Sequence, residues 1–194
     1  MKHFSEHSAM AESIVDAAES LLQQHGYNGF SYDAIAQIVG IKKPSVHHHF
    51  ATKAELVAVT VQRYTHRFRE QLLHIEGSHA AGINRLLNYA ALFETTYATN
   101  KRICVCGMLG AEMQALPELV IIEVADFFDV NLAWLISEFT QAITRQQIRS
   151  IATAEALAQN YLCALEGAMV VGRGSNAIQG PAAVGQTFMA MLVA

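Results

Sequence analysis

Cysteine is scarce in this sequence: three among 194 residues, an odd count with no framework spacing. That excludes a disulfide scaffold and makes a reducing cytosol the expected setting. Charge is thin as well, with 15% of residues charged against 52% apolar. No uninterrupted apolar run is long enough to cross a bilayer, so no membrane partner is expected. No basic leader with an apolar core and a cleavage site opens the sequence, and a cytoplasmic location is the corresponding expectation. Strand signals are weak, because no alternating apolar run is bounded by hairpin turns. A nucleophile elbow, a phosphate loop and a spaced metal-ligand motif are all missing, which argues against an enzyme and against any cofactor. What remains is an all-α chain. Its surplus of apolar side chains points to a subunit interface and an internal pocket.

The most informative stretch is FSYDAIAQIVGIKKPSVHHHFATKAEL, residues 30–56. It reads as two short helices joined by a turn at Gly40. Ser31 caps the first, its hydroxyl bonding a free amide of the opening turn. Ile35 and Val39 lie one turn apart and face inward, with Ala34 and Ile38 beside them. Gly40 suits the left-handed position that ends a helix, and Ile41 plugs the angle. The second helix opens with Lys42, Lys43 and Pro44; proline fits a first turn because its missing N–H has no partner there anyway. Val46 and Phe50 lie four apart and point inward. Lys43, Ser45, His47, His48 and His49 are left for the other faces. A buried pair beneath a face of donors is what a helix needs to read a DNA groove, and the layout is a helix-turn-helix.

Residues GIKKPSVHHHFATKAEL carry a resemblance. They are similar to the DNA-binding region of the tetracycline-repressor (TetR/AcrR) family: a glycine, an aliphatic, a polar pair, a small residue, Ser or Thr, an aliphatic, a Tyr, two further positions often His, a Phe, then Lys and Glu-Leu. The likeness covers about the first 60 residues at motif level. It implies that Lys43, Pro44 and Ser45 read bases, that His47, His48 and His49 touch phosphate or flanking bases, and that Lys53 meets a phosphate. Ser31 and Lys42 complete the candidate DNA-binding set. Where the family usually has tyrosine this chain has His47, which loses a phenol and gains a titratable donor.

Helical periodicity continues along the chain. Residues 11–24 form a first helix ending at Gly26, completing a three-helix head within residues 1–52. Residues 53–194 form a larger helical domain, its helix 53–75 linking the two, with Val57, Val61, Tyr64, Phe68 and Leu72 on one face. Further helices are expected at 83–98, 103–115, 117–147, 153–172 and from Pro181 onward, the last with Val184, Phe188, Met191 and Leu192 inward, about nine helices in all. All three prolines stand at helix starts.

One helix-turn-helix binds weakly alone, so a homodimer is expected to read a palindromic operator in double-stranded DNA. The interface is expected at Leu135, Phe139 and Ile143 with Ala164, Leu165, Ala168, Met169 and Gly172, two helices from each chain making a four-helix bundle. Tyr89, Phe93, Tyr97, Met108, Met113, Phe127, Trp134 and Tyr161 are candidates for an effector pocket. The family resemblance implies a repressor released by a bound effector, here a small, largely apolar one. A constitutive repressor without an effector is the alternative, as is a thiol-responsive regulator using Cys104 and Cys106.

Net charge is −4, which at first sight opposes DNA binding. Residues 38–69, however, hold six bases (Lys42, Lys43, Lys53, Arg63, Arg67, Arg69) and one acid (Glu55). That is +5, leaving −9 for the remainder. A basic patch on an acidic body binds DNA on one face only. His47, His48 and His49 are set against metal binding, since consecutive helical residues diverge by about 100°. Glu112 and Glu166 sit on apolar helices and are the residues an enzyme reading would use, although a glutamate satisfied by hydrogen bonds explains them equally.

Overall fold

The computed structural model describes residues 8–149, 151–175 and 179–193. Among them there are nine α-helices and no strand: α1 (Ala9–His25), α2 (Tyr32–Val39), α3 (Lys43–His49), α4 (Lys53–Ser78), α5 (Ile83–Ala98), α6 (Val105–Ala111), α7 (Glu118–Thr144), α8 (Ala154–Gly174) and α9 (Pro181–Leu192), with a 3-10 turn at Met113–Ala115. The helix expected at 103–115 is thus shorter and breaks into that turn. Pro44 and Pro181 stand in first turns, and the Pro117 carbonyl accepts the first bonds of α7.

The chain divides into two compact units. Met1–Phe68 with Val105–Phe127 make the first; Arg69–Cys104 with Phe128–Ala194 make the second. Residue 52 therefore ends the three-helix head but not the unit to which the head belongs, because α6 and the start of α7 pack with it.

The core of the first unit comprises Ile14, Leu22, Ile35, Val46, Phe50, Leu56, Leu109, Val120 and Phe127, all inaccessible to solvent. The apolar face of α4 is buried as its spacing predicts, and Phe127 meets Tyr64 and Phe68 ring to ring at 5.5 and 5.3 Å. Arg63 is buried rather than turned to solvent. It pairs with Glu12 and Asp16 at 2.7 Å and with Glu19 at 3.2 Å, tying α4 to α1, while Arg67 also bonds Glu19.

In the second unit α5, α8 and α9 pack on one another. Gly185 lets α9 come close: a Cβ there would lie 2.6 Å from Ala90 Cβ and 2.9 Å from the Tyr161 hydroxyl. That hydroxyl donates to the Leu86 carbonyl at 2.9 Å. Arg85 holds the turn from α4 to α5, bonding the carbonyls of His79 and Glu76 and the Glu138 carboxylate at 2.8 Å.

Several expectations are corrected by burial. Leu135, Phe139, Leu165 and Met169 are inaccessible within a single chain, and Ala168 and Gly172 are nearly so; only Ile143 and Ala164 are partly open. The chosen face of α8 is its inner one. Spacing alone shows that α8 has apolar stripes on both sides, not which stripe meets α5 and α9. The outward stripe carries Cys163, Gly167, Val170 and Val171. Ile38 and Met191, expected inward, are 58% and 59% exposed. Of the pocket candidates, Tyr89, Phe93, Phe127 and Tyr161 are core residues, whereas Tyr97, Met108, Met113 and Trp134 are half-buried. Met108, Met113 and Phe127 belong to the first unit and the other five to the second.

Removing Arg85 strands a carboxylate that is 4% exposed. Arg85→Leu is expected to destabilise the protein by about 3 kcal/mol, the lower end for breaking a buried pair, because Glu138 keeps its bond from the Gly82 amide. Urea unfolding checks this; a loss under about 1 kcal/mol would mean the pair is effectively a solvated surface contact.

Candidate nucleic-acid interface

Local chemistry builds the turn between α2 and α3. Ser31 is the N-cap of α2, its hydroxyl accepting from the Ala34 amide at 3.4 Å. Gly40 takes the left-handed conformation at φ 76°, and the amides of Gly40 and Ile41 both donate to the Ala36 carbonyl at 3.0 Å. The chain then re-enters a helix with Lys42 as its extended first cap and Pro44 in its first turn.

Two anchors seat α3. Val46 and Phe50 are inaccessible to solvent. Buried Tyr32 donates its hydroxyl to the Phe50 carbonyl at 3.0 Å, and its ring lies 4.6 Å from that of His47. Burial, then the charge of Glu55, pushes the Tyr32 phenol above its ordinary range, so it remains a donor. Lys42, Lys43, Pro44, Ser45, His47 and His48 are exposed, and His49 is half-buried. This wet flank offers ammonium, hydroxyl and imidazole groups, the donors that base edges and phosphates accept. Lys43 is not idle: its Nζ pairs with Asp33 at 2.7 Å, with side chains 48% and 68% exposed. A pair this open is worth little and exchanges readily for a phosphate or a base.

Lys53 departs from its expected role. Its Nζ donates to the Phe30 carbonyl at 2.6 Å and lies 4.2 Å over the Phe30 ring and 4.8 Å over the Tyr27 ring. Burial lowers its pKa, against the opposing charge of Glu112. It braces the loop before α2. The basic patch counted in the sequence shrinks accordingly. Arg63 and Arg67 are spent on acids of α1, Lys53 on a carbonyl, and Arg69 belongs to the second unit. Lys42 and Lys43 remain on the outward flank of α3.

Glu112, just past α6, is the glutamate satisfied by hydrogen bonds that the sequence allows, although its partners could not be read there. Its carboxylate accepts from the amides of Tyr27 and Asn28 and from the Asn28 side chain. The loop between α1 and α2 is thereby tied to α6. Gly26, with φ +72°, permits the approach, since a Cβ there would lie 2.6 Å from a Glu112 oxygen. The partners are 85 residues apart, and no local pattern announces them. Cys104 and Cys106 are buried, closed off from a dissolved oxidant. No group of three or more His, Cys, Asp or Glu among the described residues is placed to hold a metal ion.

The model of the family described as "Bacterial regulatory proteins, tetR family" matches residues 14–60. A solved TetR-family transcriptional regulator from Agrobacterium tumefaciens is 30% identical, with 96% of this chain and 98% of that one covered and a TM-score of 0.88. A TetR regulatory protein from Rhodobacter sphaeroides, 24% identical over 96% and 100% of the two chains with a TM-score of 0.84, has the same fold. The transcriptional regulator AcuR of Cereibacter sphaeroides is 27% identical over 82% of this chain and 74% of its own. IcaR of Staphylococcus epidermidis, a negative regulator of the biofilm operon icaADBC, is 28% identical over 56% of each.

The two lysines at this surface are expected to behave differently. Lys43→Ala should cost about 1–3 kcal/mol of DNA affinity and relax the preference at one base pair. Lys53→Met should lower the melting temperature and leave the slope of log affinity against log salt unchanged, because its charge is already committed. Anisotropy titrations across a salt series check both. A slope reduced by about one in Lys53→Met places that ammonium on a phosphate after all.

Proposed function

The chain belongs to the tetR family of bacterial regulatory proteins, and on that premise we propose that it is an effector-released repressor which binds a palindromic operator as a homodimer. Members of the family are transcriptional regulators without enzymatic activity, and that much holds for this chain. The observation that carries the finer reading is the polar flank of α3 standing over the buried Val46 and Phe50. Repression is supported by the negative regulator among its relatives. Among the described residues no helix is long and apolar enough to cross a membrane. Contact with operator DNA implies the cytoplasm.

One head engages few base pairs, so two are needed, about 34–36 Å or a multiple of that apart along the duplex. The dimer surface proposed here is the outward stripe of α8. Val170 and Val171 are 53% and 54% exposed, with Gly167 and Cys163 in the preceding turns, and Met191 of α9 is also open to solvent. Glycine and small residues along such a stripe allow a second copy to approach closely, and two helices from each protomer form a four-helix bundle.

Release needs an effector that binds the DNA-incompetent arrangement better. A coupling of roughly 1–3 kcal/mol weakens operator binding about 5–150-fold. Glu112 supports a route for that coupling: any shift of α6 that withdraws its carboxylate frees the amides of Tyr27 and Asn28 and loosens the seating of the head. The effector is small and largely apolar, in keeping with the aromatic and methionine content of the body.

Selection from a random duplex pool is expected to return an inverted repeat, bound with a steep salt dependence; enrichment of sequences lacking two-fold symmetry contradicts the dimeric reader. Val170→Asp should yield monomers by sedimentation and lose operator affinity, whereas an intact dimer moves the interface elsewhere. Glu112→Ala removes charge-assisted bonds worth about 1.5–3 kcal/mol and is expected to weaken operator binding about tenfold or more. Unchanged affinity in that variant leaves Glu112 a bystander.

A further inference from the structure

Aromatic rings from three helices meet in the second unit. Tyr89 of α5 stacks on Trp134 of α7, with centroids 5.4 Å and planes 19° apart; it lies 5.3 Å from Phe93 and 6.4 Å from Tyr161 of α8. The polar tips of this layer have partners within the chain. The Tyr89 hydroxyl donates to Asn131 Oδ1 at 2.8 Å, that of Tyr161 to the Leu86 carbonyl at 2.9 Å, and Trp134 Nε1 to Glu76 at 2.7 Å.

Glu166 of α8 differs from them. Both of its carboxyl oxygens are shut away from solvent, and neither meets an N–H or O–H donor. The Cys104 thiol, a weak donor, is its polar neighbour, and Glu166 in turn acts on the Tyr89 phenol. Burial, then Cys104 and then Cys163, hold its carboxyl well above the usual range, which favours the neutral acid. No lysine or arginine is among the groups acting on it. Tyr89 faces it from α5, Cys104 from the segment before α6 and Cys163 from its own helix, while α9, which packs on both α5 and α8, has no titratable side chain. A buried carboxyl without a proper donor weakens the fold.

We propose that Glu166 is the polar anchor of the effector site and takes the ammonium group of a small amphipathic amine whose apolar stem lies along Tyr89, Phe93 and Trp134. The proposal rests on reading the chain as an effector-responsive regulator and names the effector's class. An ammonium is the complement of this place because it has three donors and no acceptor. Aromatic faces beside a carboxylate attract a cation further. An alcohol brings a single donor, and an anion brings none to oxygens that need one. Binding converts Glu166 from acid to carboxylate, and its proton leaves to solvent. Amine affinity therefore rises with pH, by up to about tenfold per unit below the free-state pKa of Glu166.

Calorimetric titration of the intact protein tests this with butyl- to decylamine and phenethylamine, alongside alcohols and carboxylates of the same stems. At least one amine is expected to bind about tenfold or more tighter than its alcohol, with proton release. Glu166→Gln should erase both the preference and the proton release while leaving alcohol binding unchanged. Glu166→Met, which exchanges the lone acid for an apolar chain of similar length, should raise the melting temperature by about 2–4 °C; a fall assigns Glu166 to the scaffold and overturns the proposal. So does a preference for amines that survives Glu166→Gln, or carboxylates and alcohols that bind as tightly as amines. If no amine binds a protein that still holds its palindromic operator, this inference fails and the regulator stands. If no palindromic duplex binds at all, the reading beneath it has failed.

Discussion

Val46 and Phe50 hold in place a helix of seven residues that would not persist by itself. Both side chains are closed to solvent, and the Tyr32 hydroxyl fastens the carbonyl at the end of the helix. Rotation of α3 about its axis would expose Val46 and bury lysine or histidine, so its orientation is set by the two groups least tolerant of water. The flank facing outward then follows without further interactions. It is short, proline-started and rich in donors, and it lies on a rigid element rather than a loop, as groove reading requires.

Charge elsewhere in the chain serves mainly to join segments distant in sequence. Arg63 draws three acids of α1 onto α4, Arg85 and Glu138 close the turn into α5, and Glu112 holds the loop between α1 and α2. On the proposed function, these uses explain how a chain of net charge −4 would read DNA without a large basic field. Much of its basic complement is already internally neutralised. Operator affinity in the proposed dimer then rests on a few well-placed donors and on doubling the head, while the acidic remainder discourages binding by any other face.

The head was legible because its determinants are local. Ser31, Gly40, Pro44, Val46 and Phe50 each act within a turn or two, and their spacing states their roles. The departures came from elsewhere. Lys53 turned inward to a carbonyl 23 residues away, and Glu112 found amides 85 residues away; no periodicity encodes either meeting. Ile38 and Met191 are apolar and correctly spaced but stand outside the contact. On α8 the difficulty was symmetry: two apolar stripes run along one helix, and only packing against α5 and α9 distinguishes core from free face. Glu166 lies between these cases. Its apolar neighbourhood was visible in the sequence, but the lack of a donor is a property of the folded layer.

Contact between the outward flank of α3 and nucleotides is the central claim, and proximity measures it most directly. A photo-crosslinking residue placed at His48 should form covalent adducts with the selected operator duplex. The same residue at Gln159, exposed on α8 in the other unit, should form none. Adducts from position 159, or a tight complex in which position 48 never reaches the duplex, would contradict it.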